Sequence, residues 1–428
     1  MSRISRRRFL HWSAVASGTV LLGGFPRWVG GADGGGDGGT GRATVTHPNP
    51  GGGTSGEPIK LGIIDPLTSP YKTSSIHDVH GATVAVELYN KQGGVLGRPV
   101  TIVEADDASS PEMAVKAALK LIKGERVDFL MGTFNGDCAL AVSDVAKQEH
   151  KLFMVTGAYL PALTGERCDA HMFVFMPSAS MLSNAVAPFI VKEYGSRWFM
   201  VTADTVDGRS SQQAMADACK AQNGEVLGAV TTSFGTTDFT EVLIKAKVAK
   251  PQAVILNLYG WDLVNALKTC AKLEFAKDKI GIAGMIGGEQ IGRPLGYANN
   301  AGIWGLVWDP KIKTEGSRRF IQAVVDKYNH TPTSRCYLGY AAATQILEAV
   351  RRTGTTDTGV VIKALEGHEF DGLKEGRSYF RAKDHQHVQD VLVGKAYGKE
   401  LGLGHYQLVG TVGGEALAGV SAEAACLL

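Results

Sequence analysis

Apolar and polar positions alternate with two different periods along this chain. Short apolar runs rich in β-branched residues give way to stretches where apolar residues return every three or four positions. These are the signatures of buried strands and amphipathic helices. Residues 59–64 predict a strand, and 79–92 a helix with Val79, Ala82 and Val86 on one side. A strand over 100–104 leads into a helix over 111–124, with Pro111 suited to a first helical turn. A strand over 129–131, a helix over 139–149 and a strand over 152–155 follow. The rhythm restarts after Pro177, with helices over 181–193, 211–222, 238–249 and 263–273 interleaved with strands over 198–202, 226–232, 253–256 and 280–283. Such alternation implies parallel sheets covered on both faces and joined by right-handed crossovers. Two successive blocks predict an α/β chain of two doubly wound parallel-sheet lobes.

The last third reads differently. Helices over 317–328, 338–353 and 358–365 precede one strand over 388–393, too few strands for a third lobe. These elements are expected to complete the first two, so that the chain crosses between lobes more than once and forms a multi-strand hinge. The expected boundaries are 58–177 plus 311–378 for the first lobe, 178–310 plus 379–415 for the second, and 416–428 for a C-terminal tail.

Ahead of the lobes, composition changes the picture. Residues 33–57 are dominated by Gly and cannot bury enough apolar surface to offset their ordering entropy, so they are expected to be a flexible linker. Ser5-Arg6-Arg7-Arg8-Phe9-Leu10 resembles the twin-arginine export motif, and the apolar stretch over 12–22 is shorter than the ~20 residues a bilayer span needs. Residues 1–32 therefore read as a cleavable signal peptide with no permanent membrane anchor, which implies a periplasmic product. Five of the 44 basic residues (Arg3, Arg6, Arg7, Arg8 and Arg27) lie in that segment, which has no acids, leaving 39 Lys+Arg against 42 Asp+Glu. Without a basic stretch, this slight negative excess excludes nucleic acid as a partner. The six cysteines lack Cys-x-x-Cys spacing, which argues against a structural zinc site, and several sit in apolar helical patterns as buried thiols do. An oxidising destination permits disulfides whose connectivity the sequence does not give.

No Walker sequence, Gly-x-Ser-x-Gly elbow or His-Glu-x-x-His occurs, and Gly93-Gly94-Val95-Leu96-Gly97 precedes a strand where a dinucleotide loop would follow one. His385 and His387, with Asp384 and Asp390, read as solvated side chains of a polar loop. His77 and His80, flanking Asp78, read as exposed imidazoles near a helix start that could reach a cleft. Neither group is expected to hold a metal, and no cofactor is expected.

The run Ile59-Lys60-Leu61-Gly62-Ile63-Ile64-Asp65-Pro66-Leu67-Thr68, the stretch from Asn90 to Val100, Glu104-Ala105-Asp106-Asp107-Ala108 and Gly235-Thr236-Thr237-Asp238-Phe239 resemble, in order and spacing, the leucine/isoleucine/valine-binding type of periplasmic substrate-binding protein. The resemblance covers roughly 58–395 and implies the type I periplasmic-binding-protein fold. It also implies a small-molecule ligand, such as an amino acid, amide or related compound, captured between two lobes for an ABC transporter membrane permease. A periplasmic sensor presenting the solute to a signalling receptor would use the same cleft. An exported enzyme would need a nucleophile, base or metal cluster, and no convergent set is evident.

The same resemblance points to ligand-binding residues in loops at the carboxyl ends of strands. In the first lobe these are Tyr71, Asn135, Gly136, Thr156, Ala158 and Tyr159; in the second, Asp207, Trp261 and Glu289. Gly136 stands where amino-acid binders offer a serine hydroxyl, with Asp137 beside it as the expected helix cap. Asp207 replaces an aromatic residue. Ile286 occupies the position of the acid that meets a ligand ammonium, and Glu289 reaches it only with a shifted loop.

Overall fold

A computed structural model describes residues 56–69, 71–398, 404–419, 426 and 428. The signal peptide and nearly all of the linker expected from the sequence lie outside the described residues. The first sheet holds β1 (Ile59–Asp65), β2 (Val100–Asp106), β3 (Phe129–Gly132), β4 (Phe153–Val155) and β5 (Met172–Val174), all parallel, in the order β2-β1-β3-β4-β5. Strands β3 and β4 are wholly buried, as parallel strands covered on both faces must be. Helices α1 (Lys72–Lys91), α2 (Pro111–Leu119) and α3 (Gly136–Gln148) connect them.

Helix α4 (Ala179–Tyr194) leads into the second sheet. Its parallel strands are β6 (Arg197–Ala203), β7 (Glu225–Thr232), β8 (Ala253–Asn257), β9 (Gly281–Gly284) and β10 (Ala301–Leu306), joined by α5 (Val206–Ala221), α6 (Thr240–Val248), α7 (Gly260–Lys272) and α8 (Glu289–Leu295). The chain then returns to the first lobe as α9 (Glu315–Tyr328), α10 (Ser334–Thr353) and α11 (Thr358–Leu365), α10 packing along α1. A short hairpin, β11 (Tyr379–Phe380) and β12 (His387–Val388), precedes β13 (Val391–Tyr397) and β14 (Gln407–Val412). These last two extend the second sheet antiparallel, giving β14-β13-β10-β9-β8-β6-β7. Helix α12 (Gly414–Ala418) follows. Two doubly wound lobes joined by several crossings are thus observed. No helix among the described residues is long and apolar enough to cross a membrane.

Helix starts follow local chemistry. Ser110, Ser178, Thr205, Thr314, Thr333 and Asp357 each accept a hydrogen bond from a first-turn N–H of the helix that follows, each cap contributing about 1 kcal/mol. Several helices begin earlier than apolar periodicity predicts: α1 at Lys72, α3 at Gly136, α5 at Val206, α7 at Gly260 and α10 at Ser334. Their first turns carry mostly small, polar or aromatic residues, so the helical apolar stripe begins one turn later.

The crossings are tied together by buried polar groups. Lys374 Nζ donates to Val307 O (2.8 Å), Gln389 Oε1 (2.6 Å) and Asp390 O (2.7 Å), and Gln389 Nε2 donates to Phe175 O (2.9 Å). One ammonium and one amide therefore bind all three crossing segments. The solvated reading of His385 and His387 is overturned here: both are fully buried. His385 stacks on Phe173 (3.9 Å) with Nδ1 at Met172 O, and His387 Nδ1 meets Phe175 O. Asp384 pairs with Arg381. These groups are consumed by interior hydrogen bonds that a run of polar letters does not reveal.

Cys168 and Cys426 form a disulfide, while Cys138, Cys219, Cys270 and Cys336 are buried thiols. The bridge closes a long loop, so reduction is expected to lower stability by about 2–4 kcal/mol. Urea unfolding with and without dithiothreitol would measure it, and coincident curves would show that the bridge adds nothing.

Candidate functional site

The loops leaving β1, β3 and β4 of one lobe face those leaving β6, β7, β8 and β9 of the other, so the carboxyl ends of both parallel sheets border one cleft. This is where open α/β sheets bind ligands. The outer part of the cleft is a cavity of about 240 Å³. Tyr71, just before α1, is stacked between Phe134 of its own lobe (4.7 Å between centroids) and Phe234 of the other (4.6 Å). Tyr159 and Tyr259 approach to 5.9 Å across the same gap.

At the polar edge, Asp207 in the first turn of α5 reaches across to α3. Its Oδ2 accepts the Gly136 N–H at 2.8 Å, while Oδ1 is buried with no hydrogen-bond partner among the described residues. A carboxylate is favoured at a helix N-terminus, where free N–H groups and the dipole carry positive charge. A Cβ at position 136 would stand 2.8 Å from Asp207 Oδ1. Glycine at 136 thus leaves the room that the Asp207 carboxylate occupies. Burial lifts the Asp207 pKa to about 7 despite the Gly136 hydrogen bond, with the charge of Asp137 adding to the rise. Asp137 does not cap α3. Asn135 holds the N-cap position without a side-chain cap bond, its Oδ1 buried and without a partner, and Asp137 lines the cavity.

The inner part, about 50 Å³, runs between Phe134, Tyr159, Tyr259, Ile286, Gln290 and Arg335. Arg335, in the first turn of α10, lies over the Phe134 ring at 5.0 Å. Its Nη1 donates to Thr156 O and its Nη2 to Asp78 Oδ2, both at 3.3 Å, with Asp65 Oδ1 at 3.9 Å. Asp65 and Asp78 are fully buried. Burial and then the charge of Asp78 push Asp65 well above the usual carboxylate range, with Arg335 opposing the rise. Burial also raises Asp78, opposed by Arg335 and by the Thr156 hydroxyl that donates to it. The guanidinium charge is thereby balanced inside the first lobe, whereas Asp207 makes no ion pair among the described residues, Arg209 being paired with Asp204.

Of the residues expected from the sequence, Tyr71, Asn135, Tyr159 and Asp207 line the cleft, and Gly136 joins them through its N–H. Four lie elsewhere. Thr156 is spent on Asp78 and Arg335, one residue before the cavity-lining Gly157. Ala158 is buried in the hydrophobic core of the first lobe. Trp261 is 38% exposed beneath Lys268, because α7 begins at Gly260 and turns it outward, leaving Tyr259 at the cleft. Glu289 points away from both cavities; its Oε1 accepts the His405 N–H at 2.8 Å. Phe134, Phe234, Tyr259, Gln290 and Arg335 were not singled out by the sequence. The aromatic residues carry a legible signal, since each sits one to three residues past a strand end. Arg335 carries none.

A larger cavity of about 970 Å³ lies between α1, α9 and α10, lined by mixed charges such as Glu87, Arg319 and Arg352. It lies on the helical flank of the first lobe and not at the carboxyl ends of the strands that border the interlobe cleft.

Comparison with known proteins agrees with this architecture. A Leu/Ile/Val-binding protein homolog from Brucella melitensis is 27% identical over 323 residues, spanning 72% of this chain and 83% of that protein. The crystal structure of a periplasmic binding protein from Burkholderia mallei superposes with a TM-score of 0.77 at 25% identity, covering 84% of this chain and 96% of that one. The substrate-binding protein of an amino acid ABC transporter from Pseudomonas fluorescens shares the fold with a TM-score of 0.79 at 22% identity, over 87% and 100% of the two chains. With the family model for periplasmic binding proteins matched across residues 58–400, the chain belongs to the periplasmic binding protein family, in its type I fold.

Proposed function

We propose that this chain is an extracytoplasmic solute-binding protein, exported by the twin-arginine route. It captures an amino acid, amide or related small organic compound between its lobes and delivers it to the permease of an ABC importer. The observation that carries the reading is the buried, partnerless Asp207 Oδ1 facing a cavity walled by Tyr71, Phe134, Phe234 and Tyr259. Flat aromatic walls favour a planar or apolar body. A buried carboxylate oxygen without a cation is costly unless the ligand supplies one. The solute therefore brings N–H donors or a positive charge to Asp207, which already holds the helix N-terminus where relatives of the amino-acid type take a carboxylate. Tyr159 and Asn135 supply further polar contacts, and lobe closure is stabilised only by a solute that touches both sides.

The direct test is thermal unfolding of refolded, ligand-stripped protein against amines, amides, urea, amino acids and aromatic acids. A concentration-dependent rise in Tm of several degrees is expected for an amine- or amide-bearing solute, because selective binding to the native state stabilises it. A response confined to carboxylic acids would overturn the assignment of Asp207.

A further inference from the structure

Outside the cleft, three imidazoles converge on the flank of the first lobe. His77 and His80 stand three residues apart on α1 and so share one helix face. Helix α9 ends at Tyr328, and Asn329, in the left-handed conformation at φ 54°, turns the chain so that His330 folds back over them. One ring nitrogen from each of the three lies within 4.8 Å of the other two, and all three residues are half-buried. His77 meets His330 edge-on at 5.3 Å, and His80 is stacked on Tyr328 at 3.9 Å. None of the three lines the solute cavities.

We infer that His77, His80 and His330 form a binding site for one divalent late-transition ion of the zinc class, separate from the solute cleft. Imidazole nitrogen is the ligand type that zinc, copper and nickel select. Three protein ligands with one open position are a complete set for a tetrahedral ion. Bonds of about 2.0–2.1 Å imply nitrogens about 3.3 Å apart, so the rings close inward by roughly an ångström.

The surroundings support the assignment. His330 Nδ1 lies 3.0 Å from Thr331 O, while its Nε2 is buried with no partner. A ring N–H given to a backbone carbonyl fixes the tautomer and leaves the other nitrogen as a lone pair, as metal-bound histidines are arranged. The thiol of Cys336 stands 3.9 Å from His77 Nδ1. Two groups oppose a cation: Arg335, whose charge also reaches His77, and Arg293 of α8, whose Nη1 is 3.5 Å from His330 Nδ1 and whose Nη2 donates to Thr331 O. Their charges are expected to keep affinity in the micromolar range rather than that of a structural zinc.

The test is a titration of untagged full-length protein, stripped with EDTA and desalted, with cobalt(II) followed by visible absorption, and then zinc in competition. One equivalent of cobalt(II) with the intense d–d bands of a four- or five-coordinate ion is expected. Affinity should fall at least about tenfold in each of H77A, H80A and H330A, and stay unchanged in the H150A/H171A control. Melting each variant in EDTA keeps the test sound, since three independent variants are available if one fails to fold. A weak six-coordinate spectrum, affinity in all three variants equal to that of the parent chain, or loss in the control would overturn the site as an adventitious ion only.

Discussion

Arg335→Met is expected to lower the stability of the folded chain by about 3–5 kcal/mol and to abolish solute capture, the largest effect of any single cleft substitution. Among the described residues, the side chain is the only cation paired with two fully buried carboxyls, Asp78 at 3.3 Å and Asp65 at 3.9 Å. Methionine fills much of the volume but leaves that pair without a cation, and breaking a buried pair by removing one partner carries a cost of this size. The Thr156 carbonyl also loses its donor.

The loss should depend on pH in a defined direction. Asp65 and Asp78 have pKa values raised in the folded state, so folding takes up protons and their contribution weakens as pH rises above the unfolded value near 3.8. Without Arg335 both rise further. The destabilisation should therefore be smaller at about pH 4.5, where the carboxyls accept protons, than at about pH 7.5. Urea unfolding of both proteins at the two pH values measures this difference. A pH-independent loss would mean that Arg335 acts through packing on Phe134 rather than through charge.

The lobes were legible in the sequence because parallel strands covered on both faces leave contiguous apolar runs, as in β1, β6 and β8. Strand β10 was not. It reads Ala-Gly-Ile-Trp-Gly-Leu, and its glycines answer to tertiary structure: a Cβ at Gly305 would lie 2.2 Å from Met285 O, and one at Gly302 2.2 Å from Ile282 O. Close backbone approach removed the side chains that would have marked the strand. In the site, Tyr71, Asn135, Tyr159 and Asp207 stand on the cleft wall, while Thr156 and Trp261 stand one or two residues from the side of the chain that lines it. Such shifts matter because the first turn of a helix decides which side chain faces the cleft. Arg335 was out of reach altogether, since its partners Thr156 and Asp78 lie 179 and 257 residues away in sequence. The charge balance of the cleft is a property of the folded chain, with no local pattern to announce it.

Solute affinity of the wild-type chain is expected to fall as pH drops below about 7, by up to tenfold per unit, and Asp207 substitutions should remove this dependence. In the closed cleft the Asp207 pKa lies near 7, so below that value the carboxyl is protonated and must lose its proton to accept from an N–H or cationic solute. The charge is present above pH 7 and the affinity levels off there. Two variants separate the roles of this side chain. In D207N the amide oxygen still accepts the Gly136 N–H, so the bridge between α5 and α3 survives while an N–H₂ replaces the acceptor facing the cavity. In D207A both are lost. A hydrogen bond to a charged group contributes about 1.5–3 kcal/mol, so either variant should weaken an amine- or amide-bearing solute by roughly 10- to 150-fold with a flat pH profile. Only D207A should also weaken closure, visible as a larger radius of gyration in solution scattering of the solute-free protein. Isothermal titration across about pH 5 to 8 supplies the affinities. If D207N kept both the affinity and the pH slope of the parent, Asp207 would be an interlobe bridge alone, and solute recognition would fall to Asn135, Tyr159 and the aromatic walls.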